Sequence, residues 1–392
     1  MSAEIPKEEL FEHVKISATI ETSAGTPGVE NWLNAQISKL PISIFDINGK
    51  VLFYDYPVKA RGGVMGYVRA NFRKNLGAPI VAYELGPRYW DFKTAVNKLT
   101  PMFKQKFPKL KVTNTKLVCY SYPKLGIMLQ AVDPSGAVSR HIFDVASLEL
   151  VPEKKEGRGK EGFYAWSFLE SVNEQMKTNR LKIFNQISKK HNEIPVAERE
   201  AILKATTFAK YVKSPYVIDR IALFKTKLLQ YCTHYDYNEA RSHHCFVLHA
   251  QQKNDYCAVA TCQMILCYYR YYYTQDQIAP ALNYAPGGCP SDQSAGYEQL
   301  TCNHLDATYD TTPTFSEAKT QINQLHPFKS GISGHARACA GYSYNMLFGT
   351  NRLYIYDPWP WNADYKLGGA VYWEDWDSIP HTNYVFTKLT CP

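Results

Sequence analysis

The chain has 392 residues, 45% of them hydrophobic, with a formal net charge of +8. That length and apolar content bury more than one core, so two or three domains are expected. No apolar run approaches the ~18 residues of a membrane span, so a membrane-spanning class is set aside.

The start, Met1-Ser2-Ala3-Glu4-Ile5-Pro6-Lys7, has neither a basic n-region nor an apolar h-region. A signal peptide is therefore not expected, and the default location is cytoplasmic, or secreted if the chain is a trimmed form. Residues 241–392 carry 9 basic and 12 acidic side chains, a net of −3, which leaves +11 on residues 1–240. The basic residues are scattered among aromatic and apolar ones, so no nucleic-acid partner is expected. The opposite charge of the two parts suits docking of one on the other.

In chain order, Ile42–Tyr56 reads as two alternating runs joined by Asn48-Gly49, a hairpin signature. Strand-like runs follow at 64–70, 80–85, 116–121 and 127–132. Between them, Asp91–Phe107 has Phe92, Val96, Leu99 and Phe103 at helical spacing. Residues 1–152 are thus expected to form an α+β N-terminal domain with an antiparallel sheet. The alternating charges and glycines of Glu153–Gly162 read as an exposed linker. Runs at 163–187, 196–212 and 216–232 read as helices, which makes residues 153–240 a linker and helical connector. No constellation of nucleophile, base or metal ligands is found in residues 1–240.

The chemistry lies further on. Cys257 opens an apolar run that reads as a helix, and a thiol at a helix N-terminus is favoured as thiolate. Gln251, six positions earlier, carries an amide able to stabilise an oxyanion beside the Cys257 N–H. A thiol needs a base and the base an orienting acceptor. His335 follows a glycine turn and precedes a strand-like run, and Asp357 ends a β-rich run before Pro358. Adjacent strands would present the two side by side, facing Cys257. His304, His326 and His381 are rival bases without such a turn.

With Gln251-x5-Cys257, Gly334-His335-Ala336 and Tyr356-Asp357-Pro358 as its motifs, residues 245–390 resemble the papain-like cysteine peptidases of the C39-like group. The resemblance implies that Cys257 attacks, His335 is the base, Asp357 orients it and Gln251 lines the oxyanion hole. One departure is Ala258, where the family often has glycine. The implied activity is a cysteine endopeptidase acting on peptide or protein substrates, without cofactor or metal. It also implies a zymogen-like precursor whose N-terminal part is a pro-region. A substrate-recruiting module is the other reading of that part, with 153–162 or 233–244 as cleavage candidates. A Cys-dependent acyltransferase or transglutaminase-like enzyme, and an inactive papain-fold binding protein, are the alternative functions.

The fold class expected is α+β: a C-terminal papain-like fold at 241–392, with a helical half and an antiparallel sheet, preceded by the N-terminal domain and connector. Its helices are placed at 257–273, from Thr274 in a capping box, and at 316–325 with Ser316 as N-cap. Its strands are placed at 337–344, 352–356, 371–373 and 384–388. Cys257, Cys262 and Cys267 are five apart and fit no zinc spacing. His243-His244-Cys245 lacks a companion pair. Cys289 and Cys302 are compatible with a disulfide or with free thiols. The loop 284–297 and Trp359-Pro360-Trp361 are candidate cleft walls.

Overall fold

The structure is a computed structural model that describes residues 4–153, 160–208, 223–229, 246–362 and 367–390. Eight strands precede the 154–159 stretch: β1 (Gln36–Ile37), β2 (Ile42–Asp46), β3 (Val51–Ala60), β4 (Gly63–Asn71), β5 (Ile80–Leu85), β6 (Lys111–Ser121), β7 (Lys124–Val132) and β8 (Val138–Asp144). Then come β9 (Lys160–Glu161), β10 (Phe224–Leu228), β11 (Cys289–Pro290), β12 (Leu305–Asp310) and β13 (Phe328–Ile332). The chain ends with β14 (His335–Asn345), β15 (Thr350–Asp357), β16 (Ala370–Asp375) and β17 (His381–Leu389). Together with its helices this is a mixed α/β fold, and no helix among the described residues is long and apolar enough to cross a membrane.

The Asn48-Gly49 signature closes the β2–β3 hairpin, where the Gly49 N–H donates to the Asp46 carbonyl at 2.8 Å. Asp91 caps the helix Phe92–Lys106, its carboxylate accepting from the Thr94 N–H at 2.8 Å, and the helix buries Ala95, Leu99 and Phe103. The predicted strand at 80–85 is β5 itself.

What spacing alone did not foretell is how these strands join the rest. One sheet runs β12-β17-β13-β14-β15-β16-β5-β4-β3-β2-β6-β7-β8, with β1 added to β3 and β10 to β14. The seam is the antiparallel β16–β5 ladder, which pairs Tyr372 with Glu84 and Trp373 with Tyr83. Trp373 is fully buried, and its Nε1 donates to the Pro27 carbonyl at 2.9 Å. A core cluster continues across the seam from Trp32 and Tyr83 to Trp373 and the helix that carries Cys257.

Several expected elements are corrected. The helix placed at 163–187 is two helices, a four-residue one at Phe168–Ser171 capped by Ser167 and a longer one, Glu174–Asn192, capped by Asn173. Residues 163–167 instead follow β9 as non-helical chain. Within the helix placed at 216–232, Phe224–Leu228 is a strand hydrogen-bonded to β14; the remainder of that helix except 223 and 229, the 233–244 cleavage candidate and His243-His244-Cys245 lie outside the described residues. The helix Cys257–Tyr268 stops before 273, with Arg270 in the left-handed region at φ 68°. Thr314, not Ser316, caps the helix Phe315–Asn323. The helix Lys7–Ser23, absent from the expectations, buries Ser17, Thr19, Glu21 and Thr22, so it carries no clean apolar stripe. Glu21 pairs there with Arg352 of β15. Cys289 and Cys302 are both free thiols.

Candidate active site

Cys257 is the first residue of its helix, and the run from Cys257 to Cys267 is buried throughout. The turn before it is held by Gln251, whose Nε2 donates to the Lys253 carbonyl at 2.9 Å and the Asn254 carbonyl at 2.7 Å. The Gln251 backbone N–H donates to the Pro358 carbonyl at 2.9 Å, so this turn is fastened beside the exit of β15. Both hydrogens of the Gln251 amide are therefore spent on its own turn, not on an open oxyanion position.

His335 is the first residue of β14. The hairpin from β13 turns through Ser333-Gly334, with Gly334 at φ +71°, a conformation glycine adopts without strain. Asp357 is the last residue of β15, the neighbouring strand. The pair meets as expected: His335 Nε2 lies 2.7 Å from Asp357 Oδ1. Asp357 also accepts from the Trp359 N–H at 2.8 Å and, on Oδ2, from the Tyr372 hydroxyl at 2.7 Å. Tyr372 in turn is reached by Arg337 Nη1 at 3.3 Å. His335 Nδ1 has no hydrogen-bond partner among the described residues. The Ala336 backbone N–H, one residue on, is within hydrogen-bonding reach of the Cys257 sulfur. Cys257, His335 and Asp357 are thus gathered at one point, and each is 0% exposed.

Burial governs the protonation of this cluster. It raises the Cys257 thiol above its ordinary value, with the Lys124 cation opposing. It lowers His335 to about 4, against the pull of Asp357. For Asp357 burial acts upward, but His335, Arg337 and Tyr372 outweigh it and hold the carboxyl below its usual range. In the covered site the thiolate favoured by the helix N-terminus is thus opposed by desolvation of the thiol.

The cover comes from the segment after 159. β9 pairs with β11, Glu161 opposite Cys289. Gly162 donates its N–H to the Gly334 carbonyl at 3.1 Å, directly before His335. Lys124, at the start of β7 and 0% exposed, donates from Nζ to the Gly162 carbonyl at 2.6 Å and the Gly334 carbonyl at 3.3 Å. Glu161 is 1% exposed, so the linker read at 153–162 is not exposed at this end. Of the proposed walls, Trp361 and Gly287 do line an open groove of about 380 Å³ with Phe163, Gln252, Asn254 and Asp255. Of the rival histidines, His304 meets the Tyr271 hydroxyl and His381 stacks on Trp376, while His326 lies just past the helix Phe315–Asn323 with no hydrogen-bond partner for Nδ1 among the described residues.

Sequence reasoning missed Lys124 and the Glu161–Gly162 segment. The glycines of 157–162 were the available signal, since glycine also marks close backbone approach.

Residues 244–380 match the Peptidase_C39 like family. Gln251, Cys257, His335 and Asp357 all fall within that span. No curated protein matches the chain. Among solved structures, UfSP from C. elegans is similar over 42% of this chain at 15% identity and a TM-score of 0.30, and the chain covers 34% of its length.

Proposed function

We propose that the protein is a cysteine endopeptidase made as a zymogen-like precursor, with its C39-like part as the catalytic part. The observation that carries this reading is the buried His335–Asp357 bond of 2.7 Å, which leaves His335 Nδ1 unpartnered beside the Cys257 helix.

When the cover leaves and water enters, the desolvation that keeps thiol and imidazole neutral is relieved. Nδ1 then takes the thiol proton, and the Cys257 sulfur attacks the scissile carbonyl carbon. The Cys257 backbone N–H and Gln251, freed from its turn, receive the oxyanion. The imidazolium gives its proton to the leaving amine, and a thioester remains. Water, deprotonated by Nδ1, hydrolyses the thioester and restores the thiol. Asp357 keeps the ring oriented through Nε2.

A second reading, a papain-fold binding protein without turnover, is favoured by the complete burial of Cys257. Incubation of the intact chain with a denatured protein substrate separates the two. Turnover that iodoacetamide abolishes, and that Cys257→Ala lacks, supports the peptidase. Turnover surviving both changes, or none from the wild type after its cover has been proteolytically nicked, would overturn it.

A further inference from the structure

The segment that covers Cys257 lies where an extended peptide would have to lie. Its Glu161 forms a two-residue antiparallel ladder with the Cys289–Pro290 wall, and its Gly162 is bonded to the Gly334 carbonyl of the other wall at 3.1 Å. The passage is narrow. A Cβ on Gly162 would stand 1.8 Å from the Gly287 carbonyl oxygen, so backbone meets backbone there and only glycine passes.

With the backbone so fixed, the Glu161 side chain enters a closed polar pocket. Its carboxylate lies 2.6 Å from Lys329 Nζ, accepts from Gln293 Nε2 at 2.8 Å and from Asn383 Nδ2 at 3.4 Å. Lys329, Gln293 and Asn383 are at most 3% exposed, and all belong to the part that carries Cys257. They also hold one another without Glu161. Lys329 donates to Asn383 Oδ1 at 2.6 Å and to the Ser291 carbonyl at 2.8 Å, while Gln293 donates to the Pro290 carbonyl at 2.7 Å. Among the described residues Lys329 has no other ion pair. A buried ammonium without an anion is strongly unfavourable, so this pocket selects for a carboxylate of the right reach.

We infer that Lys329, Gln293 and Asn383 form a substrate subsite for an acidic side chain, immediately before a position that takes glycine, and that Glu161-Gly162 occupies it in place of a peptide. The inference rests on the peptidase reading for cleavage of that peptide, though not for its binding. The competing account is a purely internal ion pair, which would pin the cover without any affinity for a peptide supplied from outside.

The test uses the full chain and the alkylation rate of Cys257 by iodoacetamide, read by peptide mapping. Glu161→Gln keeps the shape and removes the charge, and should label about tenfold faster than wild type, the scale of one lost charge-assisted hydrogen bond. Adding millimolar Lys-Glu-Gly peptide should slow labelling of that variant again. The Lys-Gln-Gly and Lys-Glu-Ala peptides should not, and Lys329→Met in the same chain should abolish the protection while Cys257 still reacts. Equal protection by all the peptides, or by none, overturns the subsite. So does Glu161→Gln labelling as slowly as wild type. If Glu161→Gln does not fold, Gly162→Ala opens the same cover and takes its place. Protection by Lys-Glu-Gly without any hydrolysis of longer Glu-Gly peptides would sustain the subsite and sink the peptidase reading. Hydrolysis with no preference for an acidic residue before glycine would do the reverse.

Discussion

Lys124 donates from Nζ to the Gly162 carbonyl at 2.6 Å, so a buried cation from the β7 strand fastens the segment that covers Cys257. The same ammonium reaches the Gly334 carbonyl at 3.3 Å, in the turn that presents His335. One side chain thus ties the N-terminal strands, the covering segment and the hairpin that carries His335 together. Its charge also acts on both titrating partners, drawing the Cys257 thiol down and lowering His335 further.

Replacing Lys124 by methionine keeps the length of the stem and removes the donors. The Gly334 carbonyl retains the Gly162 N–H, but the Gly162 carbonyl loses its bond. A loss of about 1–3 kcal/mol in urea unfolding is expected, together with faster nicking by a protease near residues 160–166. Unchanged nicking in a chain that is measurably less stable would mean that Lys124 does not hold the cover.

The β16–β5 ladder makes a different prediction about processing. The N-terminal strand β5 completes the sheet that carries Asp357, and Trp373 is buried at their junction. A cut within residues 154–162 severs the chain but none of these contacts. The two fragments should therefore co-elute in native gel filtration and separate only in denaturant. Trp373→Ala should cost about 3–5 kcal/mol, as for other fully buried large aromatics. Fragments that part spontaneously under native conditions would contradict the role given to the seam.

Much of this arrangement was legible in the sequence, and the exceptions share a cause. Local chemistry announces itself: Asn48-Gly49, the Asp91 cap, the Thr274 capping box and the Gly334-His335 turn all act within a few residues. The meeting of His335 with Asp357 was readable because both sit at ends of neighbouring strands. The β5–β16 seam was not, since Leu85 and Val371 are paired across 286 positions and nothing local encodes it. The chain at 163–167, expected as helix, is not helical: Phe163 and Phe168 are five apart and would not share a helix face, yet Trp166 and Phe168 are buried. Their burial comes from a neighbouring core, where Trp166 and Phe168 pack together. Lys124, directly after Pro123, carries no local signal of burial; only the fold closes over it.

Acid should destabilise the covered state through His335. Its folded value of about 4 lies below the ordinary 6.5, so between those limits the unfolded chain binds a proton that the folded chain does not. The stabilising share is complete above 6.5 and is lost as the pH falls toward 4, at about 1.4 kcal/mol per pH unit within the window. Asp375, raised by burial to about 7, acts with the opposite sign, so the histidine share must be taken as a difference between chains. Denaturant unfolding of wild type and His335→Asn at pH 7 and 5 provides it. The stability gap between the two should change in favour of the variant on acidification; a gap independent of pH would show that His335 is already protonated or exposed.

The last prediction concerns Gln251, for which sequence and geometry assign different work. As an oxyanion donor it would be missed only during turnover, at roughly 10²–10³ in kcat on change to alanine. In the covered site, however, Nε2 is committed to the Lys253 and Asn254 carbonyls, in the turn that leads into Cys257. Gln251→Ala should therefore do two things: lower kcat on that scale, and cost about 1–3 kcal/mol of stability before any substrate is present. Cys257→Ala and His335→Ala should each remove essentially all turnover, and their effects should not add. Asp357→Ala should be milder, since it removes the acceptor that orients Nε2 but leaves both the thiol and the imidazole in place. Kinetics and urea midpoints measured on the same preparations separate the two duties of Gln251. A loss of rate with no loss of stability would leave it as a donor alone, and a loss of stability with full rate would leave it as a brace for the turn.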